Sequence, residues 1–423
     1  MTGKSRTLSL RMLTSAGLLV LSALLAVAQL EIVQPEPGAM LSGTVEVIAR
    51  TEAPGLRGVH AHLAGRPWVA MEAADDGTWH ATLDTTLAPN GAATIGLQQW
   101  PVAEGGAPAV EVTLGNPLQW YWGDIHSHTA VSDGRLMPAA AYAYARDVAG
   151  IDFFSLTDHL EKVDPGEWRE CQQAAWEAND EGHFVTFAGL EWTKGVGHMC
   201  VYDPATITWP AALAEYYTFA PANCALAKFN HPGWRDTNFE EFAYSPEGDA
   251  VIQLMEVRGA GELDWFIKAL NLGWHLAPDA SDDTHRETWG NNRMWTVALA
   301  PGLSRANIIG ALASRRCYST RDRNCRVEFT VNGAQMGEII AESQQTVTIV
   351  VEVTDPDEGD TIKSIELYGD GEVLQTDEPA ACDRRWEVTL TPEPGGRYYF
   401  AKLTQSDGNL IYCAPVWVTV AAE

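Results

Sequence analysis

Cysteine is scarce in this chain: seven in 423 residues, no two of them at C-x-x-C spacing. That leaves out a zinc knuckle built on thiolates and a dithiol redox pair. Basic residues are scarce too, 28 Lys and Arg against 56 Asp and Glu, for a formal net charge of −28. A surface of that sign repels polyanions, so nucleic acid is excluded as the expected partner. After the first thirty residues no apolar run is long enough to cross a bilayer. What the chain does have is an apolar fraction of 46%, enough for true cores, and a length suited to several domains.

The N-terminus reads as an export signal. Lys4, Arg6 and Arg11 precede the apolar stretch MLTSAGLLVLSALLAVA, and Ala26, Val27 and Ala28 offer a small-residue cleavage site before Gln29. The alternative is a retained anchor, but the run ends in small residues and not in a basic stop. Cleavage would remove three positive charges and no negative one, deepening the net charge to −31. A periplasmic or extracellular protein without stable membrane insertion is therefore expected. Export permits disulfides, and Cys317 with Cys325 and Cys382 with Cys413 are the plausible pairs, although an odd count leaves a thiol over.

Three textures follow one another. Residues 30–117 show short alternating runs (GTVEVIAR, GVHAHLAG, GTWHATLD) broken by EAPG, ADDG and APNG, the pattern of an antiparallel β-sandwich. His60, His62 and His80 have no acidic neighbours in sequence there and read as ordinary strand residues. Residues 118–324 alternate strands with helices (WYWGDIHSH, MPAAAYAYARDVAG, DFFSLTDH, GEWRECQQAAWEAND), which predicts parallel βα units, numerous enough for a barrel. Residues 325–423 return to strands and predict a second Ig-like sandwich. Its loop DPDEGD, 355–360, is rich in carboxylates, but it lacks the glycine and glutamate positions of an EF-hand and reads as an acidic turn.

Chemistry in a barrel collects at the C-terminal ends of its strands. Those ends carry His126 and His128 with Asp133 in the following loop, then Asp158 and His159, Glu191, His231, and Asp283 with His285. His198 follows on a short hairpin. H-x-H alone is weak, since His60 and His62 repeat the spacing. The set is stronger: six of eleven histidines belong to it. So many imidazoles and carboxylates in one partly dry place need a counter-ion. Nine ligands suit two or three divalent ions, and a donor set without thiolate fits zinc, manganese or iron.

The motifs DIHSHTAVSDG, LTDH, GLEW, FNHP and SDDTH, in this order, resemble the PHP (polymerase and histidinol phosphatase) superfamily. The GHMCVY element and the segment NNRMWTVALAPGLSRANIIGALASRRCYST are similar to its carbaryl-hydrolase-like branch. The resemblance covers residues 121–320 and implies an α/β fold, a distorted (β/α)7 barrel flanked by N- and C-terminal β-sandwich domains. It implies one metal held by His126, His128, Glu191 and Asp283, with Glu191 bridging to a second held by His198 and His231. Asp133, His159 and His285 match a third position, with Asp133 standing where some relatives have histidine. Asp283 is preferred to Asp282 because it keeps the D-x-H spacing to His285.

The chemistry so implied is hydrolysis of a small-molecule ester by metal-activated water. Phosphoesters come first, and Lys194, Arg258, Arg286 and Arg293 near the motifs are candidates for holding an anionic group. Aryl carbamates or carboxylic esters are the alternative, with Trp192, Trp234 and Trp289 as a candidate aromatic wall. Asp158 reads as a proton relay beside His159 or as a helix cap; Glu191, His285 and Arg286 complete the candidate catalytic set. A secreted binding module with structural metals is the reading from another class.

Overall fold

The computed structural model describes residues 30–51, 56–102, 107–234 and 238–421, so the segment read as an export signal lies outside the described residues. Among the described residues no helix is long and apolar enough to cross a membrane.

The N-terminal strands alternate as their sequence requires. Val47, Ala49, Ala61 and Leu63 are fully buried while their neighbours are partly or wholly exposed, and Ile95 and Leu97 are buried with them. They fill the space between a four-stranded sheet and a five-stranded sheet, in a core separate from that of the rest of the chain. His80 does acquire an acidic partner, Glu46, 2.9 Å away on the adjacent strand, but the pair is on the surface.

The central region is mixed α/β. Its strands run in spatial order Ala277–Asp279, Ile252–Glu256, Leu226–Phe229, Gly197–Tyr202, Val185–Lys194, Phe153–His159, Gln119–Asp124. Strict βα alternation is not realised. The strand 197–202 folds back antiparallel on 185–194 and pairs antiparallel with 226–229; the other neighbours in this series are parallel. The two ends of the series meet where Ser127 bridges Thr284 in parallel, with His128 N–H donating to the Thr284 carbonyl at 2.9 Å. Helices pack against this curved sheet by ordinary rules. Pro165–Ala178 starts at a reciprocal cap between Asp164 and Glu167 and buries Trp168, Cys171 and Ala175 at helical spacing. Ala260–Asn271 likewise buries Leu263, Phe266, Ala269 and Leu270, each large side chain contributing about 1.5–3 kcal/mol.

The third texture does not begin at a free boundary. The strand Cys317–Thr320 pairs with Leu410–Cys413, so one 15-stranded sheet runs from the central region into the C-terminal strands, and both share a core. The pairing covers what would otherwise be an exposed edge. Opposite it lies a four-stranded sheet containing Arg326–Val331, Val347–Thr354 and Asp383–Leu390. The expected disulfides are not formed. All seven cysteines are free thiols, with Cys317, Cys325 and Cys413 buried as apolar filler and Cys382 near the surface beside the Asp357 carbonyl.

Candidate metal centre

Alternation along the strands decides which side chains meet. His126 and His128 continue the 119–124 strand beyond its last residue and turn their rings to one side, with Nε2 atoms 3.4 Å apart. His159 and Glu191 are paired residues on adjacent strands, and His198 sits across the hairpin from Thr193. His231 and Asp283 follow strand ends with φ of 27° and 53°, a backbone region costly for non-glycine residues and common where function dictates geometry. The 129–134 loop is held against His128 so closely that a Cβ on Gly134 would stand 2.6 Å from the His128 carbonyl. Only glycine fits there.

Glu191 is the centre. It is 1% exposed, and five imidazoles reach it: His126 Nε2 at 3.2 Å, His128 Nε2 at 3.6 Å, His159 Nδ1 at 2.9 Å, His198 Nδ1 at 3.3 Å and His231 Nε2 at 3.4 Å. Asp283 Oδ1 lies 2.9 Å from His128 Nε2 and 3.4 Å from His126 Nε2. At the rim, Asp133 stands 3.4 Å from His159 and 3.3 Å from His285. All nine residues singled out in the sequence come together. Their ligand atoms form four overlapping groups: His126, His128 and Glu191; His126, His231 and Asp283; Glu191, His198 and His231; and His128, Asp133, His159 and His285.

These distances suit cations. The Nδ1 atom of His126 is 2.6 Å from Glu256, which fixes its proton there and leaves the Nε2 lone pair facing the cage. Two ligands at about 2.0–2.1 Å from a tetrahedral ion are about 3.3–3.4 Å apart, the spacing of the two Nε2 atoms. In the protein without ions, protons supply the positive charge that the carboxylates demand. Burial opposes a charge on His126, yet Cys200, Asp283, Glu256 and Glu191 hold its pKa well above the usual value. Burial likewise opposes ionisation of Glu191, and His126 with its other imidazole partners holds it well below the usual range. His128 goes the other way, lowered chiefly by burial.

No family model matches the chain. An uncharacterized protein of Chlamydia pneumoniae is 22% identical over 358 residues, which is 70% of this chain and 57% of that protein. One of Chlamydia trachomatis is 20% identical over 362 residues, with the same shares. The chain thus spans 57% of the length of these curated relatives. Among solved structures, a two-domain protein of Bacteroides vulgatus is similar, its description naming a predicted PHP-like metal-dependent phosphoesterase. The likeness covers 71% of this chain and 97% of that one, at 18% identity and a TM-score of 0.40.

Around the cage the sequence reading needs correction. Asp158 does not face it: both carboxylate oxygens are taken by the loop, accepting from Thr129 N–H at 2.8 Å, Thr129 Oγ1 at 2.6 Å and Ser132 Oγ at 2.6 Å. It is a positioning residue for the segment carrying Asp133. Asp282 turns to Asn292, leaving Asp283 to the cage. Lys194 is paired with Glu161, and Arg293 lies on the surface near Asp407. Arg286 is exposed and lines, with Asp283 and His285, an open depression of about 410 Å³. Trp192 and Trp289 are core residues; the Trp289 indole donates to the His128 carbonyl at 3.0 Å. Only Trp234 of the three stands at the mouth, its ring centroid 5.3 Å from that of His231 and 5.6 Å from that of His198.

Sequence reading missed the layer beneath. Glu256 holds His126 and accepts from the His231 N–H at 2.7 Å, while Lys228, wholly buried, sits 2.7 Å from both Glu256 and Asp279. Asn230 donates to Glu191 at 2.8 Å. The signal was available: Lys228 and Glu256 are charges set inside apolar runs (CALAKFNHP, VIQLMEVRG), where an unpaired charge is too costly to persist. Asp124, under His126, is pushed up to about 7 by burial and by Asp282.

Proposed function

We propose that this chain is an exported metal-dependent hydrolase of the PHP type. On this reading the curved seven-strand series is that superfamily's distorted (β/α)7 barrel, and the substrates are small organic phosphoesters. The observation that carries it is one buried carboxylate, Glu191, within 2.9–3.6 Å of five imidazoles. A structural site closes around a single ion; this constellation is too large for one and opens to solvent at Asp133 and His285. Two or three zinc, manganese or iron ions held by the nine ligands would acidify a bound water and offset charge developing on the ester.

The chain's own groups do the rest. Glu256 fixes the tautomer of His126, and the Asp283 backbone carbonyl does the same for His285, whose Nδ1 lies 3.0 Å from it. We assign to the His285 Nε2, where no third ion takes it, uptake of the proton that the attacking water loses and its transfer to the departing alcohol. Arg286 beside it is assigned to the non-bridging phosphoryl oxygens. Trp234 at the mouth favours a second reading, an aryl carbamate or carboxylic ester. Metal-loaded protein assayed with nitrophenyl phosphate and with naphthyl carbamate decides between them. Turnover of the phosphate supports the first reading; turnover of the carbamate alone reverses the order. Bound metal with no turnover of any ester would return the protein to the class of binding modules.

A further inference from the structure

The C-terminal region carries a second cluster that the cage does not use. We propose that Asp322, Asp355 and Asp360, with the side-chain oxygens of Gln405 and Asn324, form an oxygen-only cation site that takes calcium. Ligand oxygens of the three aspartates lie within 4.8 Å of one another. They arrive from separate segments: the turn after the strand Cys317–Thr320, and the two ends of the 355–360 loop. Asp322 and Asp355 are 6% and 4% exposed. The charges acting on Asp355 and Asp360 are mainly those of other carboxylates, Asp322, Asp360 and Asp407. The nearby Arg323 is committed elsewhere, to the Ala149 carbonyl and the Trp295 ring.

The second observation is Gln405, at the end of the strand Gly395–Gln405 and 0% exposed. Its amide nitrogen touches two of the three carboxylates, Asp355 Oδ2 at 2.6 Å and Asp322 Oδ2 at 3.4 Å. Its amide oxygen is buried with no partner, and so is that of Asn324. A buried amide oxygen without a protein partner calls for another one, a water or an ion. Gln405 meets the carboxylates through its amide nitrogen, so the site requires this amide to turn its unpartnered oxygen onto the ion; with Asn324 the set would then be five oxygens. Calcium takes six to eight oxygens in flexible geometry, with water completing the shell, whereas magnesium demands a near-ideal octahedron. Burial, then Asp322 and Asp360, push the Asp355 carboxyl up to about 6, a strain that a cation removes. The loop alone fails the EF-hand pattern because the ligands are gathered across the fold and not along one loop. A cation here would fasten the end of the central region to the C-terminal strands.

Trp122 provides the probe. Its indole donates to the Asp322 carbonyl at 3.1 Å, close enough to sensitise bound terbium. Full-length protein, its cage loaded with zinc, is titrated with terbium and the emission excited through tryptophan is followed. Emission saturating at one equivalent, displaced by calcium and not by equal magnesium, is expected. Asp360→Asn and Asp355→Asn should each weaken binding about tenfold or more, as charge count sets affinity in such sites. Asp360 is partly exposed, so its variant folds even if the other does not. Emission should survive His128→Ala. Loss of the signal in His128→Ala, an unchanged titration in Asp360→Asn, or no sensitised emission from folded wild type would each overturn the proposal.

Discussion

Lys228→Met tests whether the layer beneath the cage is what holds it. The ammonium is wholly buried, 2.7 Å from Glu256 Oε1 and 2.7 Å from Asp279 Oδ2, so the variant leaves two buried carboxylates facing each other. Removing one partner of a buried ion pair costs about 3–5 kcal/mol. Part of that cost is avoidable, because Asp279 can take up a proton. Its carboxyl is already raised, by burial first, with Lys228 pulling against it. A group whose folded pKa is raised contributes stability that is fully present below its unfolded value, 3.8, and lost as pH rises through the folded one. Without Lys228 the folded value of Asp279 climbs further. The deficit of the variant should therefore be smallest in acid and grow toward the full about 3–5 kcal/mol near about pH 8. Urea unfolding followed by circular dichroism, in chelator, at several pH values measures it. A deficit below about 1 kcal/mol at the alkaline end, or one independent of pH, would refute the argument, because it would mean the triad is not ionised in the folded protein.

Three further outcomes are expected. An ion entering the cage must displace the proton that the carboxylates hold on His126, so metal uptake near neutral pH should release protons and tighten as pH rises. Calorimetry in buffers of different ionisation enthalpy reads this directly; no proton release would contradict it. Asp158→Asn should cost about 2–3 kcal/mol of stability by weakening the three bonds that hold the 129–132 loop, while leaving the midpoints of the pH–rate profile in place. Displaced midpoints would return Asp158 to the role of proton relay. Trp234→Ala should raise KM for aryl esters roughly fivefold, about 1 kcal/mol of lost aromatic contact, and leave small alkyl phosphates unaffected. Equal effects on both would remove Trp234 from the substrate path.

How much of this could be read before folding follows from how far each signal reaches along the chain. A strand turns every second residue to one side, so the shared face of His126 and His128 was legible, and so was that of His60 and His62. The difference lies in what else arrives. Glu191 and Asp283 come to the first pair, whereas His62 meets the Trp68 ring at 3.8 Å and the Leu63 carbonyl at 3.3 Å. The position of strand ends therefore carried more information than the histidine motif. The direction in which Asp158 points was not legible, since a one-residue step separates the cage face from the loop face and only the hydrogen-bond partners reveal which was taken. The cysteine pairing failed for a different reason. Spacing says nothing about whether two strands bring sulfur atoms together, and Cys413 lies opposite Tyr318, not Cys382.

The same reasoning explains why one acidic group was legible and the other was not. Most cage ligands lie near or just beyond the C-terminal ends of strands of one curved sheet, so knowledge of strand ends gathers them without knowledge of tertiary contacts. Asp322, Asp355 and Gln405 have no such common rule. They meet because the sheet of the central region runs on into the C-terminal strands through the pairing of 317–320 with 410–413. That continuity was itself invisible to patterning, which sees a change of texture near residue 325 and infers a boundary. A boundary in texture marks where helices stop alternating with strands; it does not mark where hydrogen bonding stops. Where one sheet crosses such a boundary, polar residues flanking the crossing are buried by both sides and must be satisfied there. The amide oxygens of Gln405 and Asn324 are groups there that no protein partner satisfies.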